Sequence, residues 1–234
     1  MRTLDHPLLS SFSRRPGPLS SVLLHPAGGG LGQYVGLVSW LARRGVVHGV
    51  RAPGLFGDEQ PDDSLQAMTE RYLALLQALP APPDLLIGWS LGGLLAWELA
   101  ARLAGGGPPP AVVMVDSFAE PWSAYHRSHD ELMAAILRGA ALPLDPAAQQ
   151  RATRTADAHL TACAAHRVTS RQPGRTLLVA CAAPERDEQI AQWETRTSEL
   201  TVRHLDCGHF EVFQPEHFRA LLRHLDDFLP WSPR

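Results

Sequence analysis

The stretch Gly88-Trp89-Ser90-Leu91-Gly92-Gly93 sets one serine among glycines, between the apolar runs DLLI and LLAWELAARLAG. A serine hydroxyl is a poor nucleophile near neutral pH. It attacks carbonyls only when a base takes its proton and a carboxylate orients that base. The pattern G-x-S-x-G is moderately specific by itself, because glycine-rich turns containing serine also arise by chance. Its context is sharper. A strand-like run precedes it, a helix-like run follows, and small residues flank the serine, so strand and helix can close on a strained turn with the hydroxyl at its tip. The same geometry puts Ser90 at a helix N-terminus, where developing negative charge is stabilised. Ser90 is read as a nucleophile.

Where such a turn carries the nucleophile, the acid and then the histidine follow in chain order. His209, in LDCGHFEVF, comes directly after the last strand-like run and reads as the base. His217 and His224 fall in the final helical segment, His159 and His166 in a helical stretch and His204 within a strand, so surface or packing roles are assigned to these. Asp116 ends the strand-like run VVMVD, and parallel strands present their C-terminal ends at one sheet edge. It is taken as the acid. Glu185 and Asp187 are the alternatives, although APERDE reads as a solvated helix start, and Asp206 reads as a loop acid. An oxyanion hole needs two backbone N–H groups aimed at one point. Leu91 offers one and the HPAGGG turn the other, through Gly28 or Ala27. His25 in that turn is read as a packing or hydrogen-bonding residue.

The elements that must position these residues follow from periodicity. SSVLLH reads as a buried strand feeding the glycine-rich turn, and LGQYVGLVSWLARRG as a helix with Gly45 at its C-cap. VVHGVRAPG is a strand closed by a Pro-Gly turn. DDSLQAMTERYLALLQALPAPP is a helix opened by Asp63 or Ser64 and stopped by prolines. DLLIGWS, LGGLLAWELAARLAGGG and PPPAVVMVDSF continue the alternation, which specifies an α/β architecture with a mostly parallel sheet flanked by helices. From about 120 to 172 only helical fragments occur, read as a helical insertion. RTLLVACA, the ERDEQIAQWETRTS helix, ELTVRHLD and PEHFRALLRHLDDFL then resume the pattern.

With 234 residues, 45% hydrophobic and 19% charged, the chain is sized for one α/β domain spanning 1–234 and is neither disordered nor fibrous. A formal net charge of −3 with scattered arginines argues against nucleic acid. No apolar run reaches the roughly 20 residues of a membrane span, and the N-terminus lacks a signal-peptide core, so the cytoplasm is expected. Cys163, Cys181 and Cys207 lack the spacing of a disulfide framework or metal site and read as buried apolar residues.

Taken together, LLHPAGGGLGQYVGL, GVRAPGL, LIGWSLGGLLAWELA, VVMVDSF and CGHFEVF resemble, in order, the blocks of the thioesterase domains of nonribosomal peptide and polyketide synthases, within the α/β-hydrolase fold. The resemblance runs from about Ser20 to near the C-terminus and is weakest in the insertion. It implies an acyl chain delivered as a thioester on the phosphopantetheine arm of a carrier protein, with no cofactor or metal of the chain's own. An acyl-Ser90 intermediate would be resolved by water or by an internal nucleophile. The insertion matches the family's lid, in which Trp122, Tyr125, Leu132 and Met133 would line a substrate chamber, and Trp193 is read as structural. An acid in VMVDSF resembles the terminal, product-releasing members more than the editing type II members. A short leader after Met1 fits a freestanding enzyme acting in trans or an excised synthase domain. An esterase or lipase acting on oxygen esters, an editing type II thioesterase and a catalytically silent binding module are the competing readings.

Overall fold

The computed structural model describes residues 6–105, 107–120, 128–139, 145–172 and 174–229. Its strands are β1 (Leu9–Ser13), β2 (Leu19–Leu24), β3 (Gly45–Val50), β4 (Leu85–Trp89), β5 (Ala111–Val115), β6 (Thr176–Ala180) and β7 (Leu200–His204). They form one sheet in the order β1-β3-β2-β4-β5-β6-β7, with every neighbouring pair parallel except β1 and β3. The helices are α1 (Val35–Ala42), α2 (Leu65–Gln77), α3 (Leu91–Leu103), α4 (His129–Gly139), α5 (Pro146–Ala165), α6 (Arg186–Glu194) and α7 (Pro215–Phe228).

Alternating side chains divide the core between the two sheet faces. Val22, Leu24, Leu86, Val112, Met114 and Leu178 pack with α2, α3 and α5. Leu23, Leu85, Ile87, Val113, Val115 and Leu177 pack with α1 and α7. The period of two in each strand supplies both layers, as expected of a parallel sheet covered on both faces. Between β5 and β6 the described residues hold α4 and α5 and no strand, in keeping with the helical stretch read from the sequence.

Ser64 caps α2, its hydroxyl accepting from the Ala67 N–H at 3.2 Å. The C-cap of α1 is Arg43 and not Gly45, which instead begins β3. The reason is steric: a Cβ at Gly45 would lie 2.0 Å from the Leu19 carbonyl oxygen on β2. Strand β1 was not legible in the sequence, because LSSFS is an edge strand rich in serine with no apolar alternation.

Backbone proximity at the β4–α3 junction is extreme. A Cβ on Gly88 would fall 2.0 Å from the Gly92 carbonyl carbon, and one on Gly92 would fall 2.3 Å from the Leu24 carbonyl oxygen. Neither neighbour is the end of a flexible side chain, so no rotamer change relieves the clash. Gly88→Ala is expected to cost about 3 kcal/mol or more in urea unfolding, while Gly105→Ala, whose Cβ meets open space, stays within about 0.5 kcal/mol of the parent.

Candidate active site

Ser90 sits between the end of β4 and the first residue of α3 with φ 58° and ψ −125°. A non-glycine residue held there stores on the order of 1–3 kcal/mol, so neighbours must over-determine the turn. They do. The Ser90 N–H donates to the Val115 carbonyl at 2.9 Å, and the Ser90 carbonyl accepts from the Gly93 N–H at 3.1 Å and from the Ser117 hydroxyl at 2.7 Å. Gly93 is required by the same contact, since a Cβ there would lie 2.0 Å from Ser117 Oγ. One strand back, the Tyr34 hydroxyl accepts from the Trp89 N–H at 2.8 Å and donates to the Leu24 carbonyl at 2.9 Å, tying β4 to β2.

Asp116 follows β5 at the same sheet edge, also with positive φ (47°), and is buried. Its Oδ2 accepts from His209 Nδ1 at 2.7 Å, and its Oδ1 accepts from the Cys181 N–H at 3.1 Å and the Gln189 amide at 3.2 Å. Burial pushes this carboxyl up. The hydrogen bond and charge of His209, with the Cys181 and Gln189 donors, outweigh burial and hold it below the ordinary aspartate value. An ionised carboxylate only accepts, so the proton of a neutral His209 lies on Nδ1 and Nε2 keeps its lone pair. The imidazole is fixed further by Trp89 and Phe210, with ring centroids 4.9 Å away in each case.

Ser90 and His209 line one cavity of about 300 Å3, together with Ala27, Gly28, Trp89, Phe210 and others. Leu91 is the first residue of α3, so its N–H has no acceptor within the helix. The Pro26–Gly29 turn is closed by the Gly29 N–H donating to the Pro26 carbonyl at 2.8 Å, with Gly29 at φ 77°. The structure thus brings Ser90, Asp116, His209, Leu91, Ala27 and Gly28 to one edge of the sheet. It leaves the other acids outside: Asp187 and Asp206 are exposed, and Glu185 stands at the N-cap of α6. What α6 contributes to the carboxylate is Gln189.

Two expectations for the chamber are corrected. Leu132 is buried in the core and Met133 packs against it, and neither lines the cavity. Ile136 and Gly139 line it instead, because they continue the Leu132 stripe one and two turns further along α4. Trp122 and Tyr125 lie outside the described residues. Trp193 is fully buried and its indole N–H donates to the Ser117 carbonyl at 2.8 Å, a structural role that holds the segment after Asp116.

His159 packs in the interior: it is fully buried, one of the two roles assigned to it from the sequence, and its Nδ1 donates to the Ala27 carbonyl at 2.8 Å. It stacks on His25 at 5.0 Å between centroids, and His25 in turn donates from Nδ1 to the Pro26 carbonyl at 2.9 Å and accepts at Nε2 from the Tyr72 hydroxyl at 2.7 Å. Helix α5 is therefore keyed to the glycine-rich turn. No local sequence signal marks this, since the partners stand 132 positions apart.

A profile of the thioesterase domain family matches residues 22–229. Enterobactin synthase component F of Escherichia coli (strain K12) is 28% identical over 214 residues, covering 84% of this chain and 16% of that synthase, so the chain spans a small fraction of that relative's length. The probable thioesterase gloN of Glarea lozoyensis is 33% identical over 111 residues, 46% of this chain and 38% of that protein. Among solved structures, the RedJ thioesterase from the prodiginine biosynthetic pathway in Streptomyces coelicolor superposes with a TM-score of 0.74 at 26% identity, covering 97% of each chain. The Vlm2 thioesterase domain, at 22% identity and a TM-score of 0.76 over 95% of this chain and 98% of that one, shares the fold. A mostly parallel sheet with its serine turn at the strand ends defines an α/β-hydrolase fold. Within that fold, the chain belongs to the thioesterase domain family.

The buried histidines generate a pH dependence. Burial, reinforced by the charge of His159 and opposed by the Pro26 carbonyl, lowers the His25 pKa to about 3 from 6.5. Burial lowers that of His159 to about 4, against the opposing Ala27 carbonyl bond and the Asp62 charge. As pH falls below about 6.5 the unfolded chain binds both protons and the native chain does not. Stability is therefore complete above that pH and falls below it, by on the order of 1.4 kcal/mol per pH unit for each histidine. Urea melts between about pH 6.5 and 4.5 should show this loss, and His159→Gln should shed roughly half of the slope.

Proposed function

We propose that the protein is a serine thioesterase that releases an acyl, peptidyl or polyketide chain from the phosphopantetheine arm of a carrier protein through an acyl-Ser90 intermediate. The observation that supports it most directly is the 2.7 Å bond from His209 Nδ1 to the buried Asp116 carboxylate, on a ring that opens with Ser90 onto one cavity. Family membership supplies the thioester bond as the target. The match to a synthase relative supports the carrier-bound substrate class that the sequence resemblance implies.

In this mechanism Ser90 Oγ attacks the thioester carbonyl while His209 Nε2 takes its proton. Asp116 stabilises the imidazolium and stays ionised. The tetrahedral oxyanion is received by the Leu91 N–H and by an N–H of the Pro26–Gly29 turn, from Ala27 or Gly28, with the positive end of α3 adding to the field. Collapse expels the arm's sulfur, which leaves as a thiol with the proton from His209. Water or an internal nucleophile of the chain then gives its proton to His209 and attacks the Ser90 ester, regenerating the hydroxyl. Hydrolysis and ring closure share these steps and differ only in the second nucleophile. The α4–α5 stretch acts as the lid, and its keying to Ala27 through His159 makes it part of the oxyanion wall as well as the roof.

Incubation with a carrier-bound acyl chain should add the acyl mass to the protein and leave Ser90→Ala unmodified, as read by intact-mass spectrometry. Asp116→Asn should lower kcat by about 10⁴-fold, since it imposes the wrong imidazole tautomer, while Asp187→Asn should stay within about twofold. A collapse in Asp187→Asn with activity kept in Asp116→Asn would move the acid to the later loop. Faster turnover of simple aryl esters than of carrier thioesters would favour an oxygen esterase.

A further inference from the structure

Arg51 directly follows β3, at the sheet edge where Ser90 follows β4, and lines the same cavity as Ser90 and His209. Its position is fixed at both ends. The Arg51 N–H donates to the Leu8 carbonyl at 2.9 Å, and the next residue, Ala52, donates to the Gly29 carbonyl at 2.9 Å. The side-chain Nε donates to the Pro7 carbonyl at 2.5 Å, and the guanidinium carbon lies 4.5 Å from the Phe56 ring centroid. Among the described residues no acceptor engages Nη1 or Nη2, and no aspartate or glutamate lines the cavity. Two other arginines are spent on partners: Arg71 forks onto Asp62 and Glu59, and Arg186 is held by the Cys181 and Leu205 carbonyls.

A guanidinium with its fork unspent, one face on an aromatic ring and apolar walls around it, is built to receive a planar or tetrahedral oxyanion. It is also oriented in advance, so little side-chain freedom is lost on binding. The register gives the reach. Val50 lies beside Leu24 and Leu24 beside Gly88, so the exit of β3 stands two strand spacings, about 10 Å, from the exit of β4. A group attached at Ser90 and crossing the mouth of β2 arrives at Arg51.

We infer that Arg51 forms an anion subsite of the Ser90 cavity, taking a carboxylate at the far end of the acyl chain or the phosphate of the thioester-bearing arm. The inference rests on the reading of Ser90 as the acyl acceptor, and it makes Arg51 a specificity-determining residue outside the proton-transfer machinery.

The test compares kcat/KM for octanoyl-pantetheine, its ω-carboxyl counterpart suberoyl-pantetheine, and octanoyl-phosphopantetheine. The native protein should prefer one of the two anionic thioesters by about tenfold, the size of a partly exposed charge-assisted hydrogen bond. Preference for suberoyl assigns the subsite to the acyl chain, and preference for the phosphorylated arm assigns it to the phosphate. Arg51→Met should abolish the ratio and Arg51→Lys should keep part of it. Rising ionic strength should weaken it, which a merely structural role for Arg51 would not do. A butyryl and succinyl pair, too short to reach, should show no difference. Calorimetry of free suberate and of phosphopantetheine, with Ser90→Ala against Ser90→Ala/Arg51→Met, reads the same subsite without turnover. Ser90-dependent release with equal rates for all three thioesters, or a preference unchanged in Arg51→Met, overturns the anion subsite and leaves the thioesterase reading intact. Binding that needs Arg51 without any thioester release overturns the thioesterase reading and keeps the subsite.

Discussion

The architecture of the site depends on how closely two backbones approach at the end of β4. Gly88 and Gly92 press together with no room for a Cβ, Gly92 also presses on the Leu24 carbonyl of β2, and Gly93 admits the Ser117 hydroxyl that bonds the Ser90 carbonyl. That closeness, with the hydrogen bonds to Val115, Gly93 and Ser117, holds Ser90 at positive φ on the wall of the cavity. The strain at Ser90 is carried by contacts that belong to β2, β5 and α3 together, so the turn is a property of the assembled sheet edge and not of the six residues alone.

A second constraint is electrostatic. Asp116 is buried, and a buried carboxylate stays ionised only if donors surround it. Three different segments provide them: His209 from the loop after β7, the Cys181 N–H from the end of β6, and Gln189 from α6. The same α6 that looked like a solvated acidic helix turns its amide inward. The acids of its first turn, Asp187 and Glu188, face solvent, as suits a helix N-terminus. The carboxylate that orients the imidazole is thereby separated from those that only cap a helix.

The glycine-rich turn after β2 is where the two flexible parts of the problem meet. Its Ala27 and Gly28 line the cavity, and glycines alone would leave it loose. The stacked pair of His25 and His159 and the hydroxyl of Tyr72 fasten it from below, and α5 supplies half of that clasp. The cavity wall opposite is shaped by Ile136 and Gly139 of α4, by Phe12 on β1, and by Leu55, Phe56 and Arg51 after β3. An edge strand and a loop, neither of which carries a motif, therefore take part in shaping the space in front of the serine.

Much of this was legible in the residues. The alternation of apolar runs and amphipathic segments carries the period of strand or helix in each local window, so the α/β class, the parallel sheet and the helical stretch before β6 could be read directly. The serine turn was legible because its steric demand falls on adjacent residues. The positions of His209 and Asp116 were legible because parallel strands deliver their C-terminal ends to one edge. The pairing of β1 with β3, the Gln189 contact, the His159 clasp, and the choice of Ile136 over Leu132 at the cavity were decided only by tertiary structure. Each depends on which of several equivalent polar or apolar side chains meets a partner far away in the chain, and local periodicity fixes a residue's face without fixing what that face will touch.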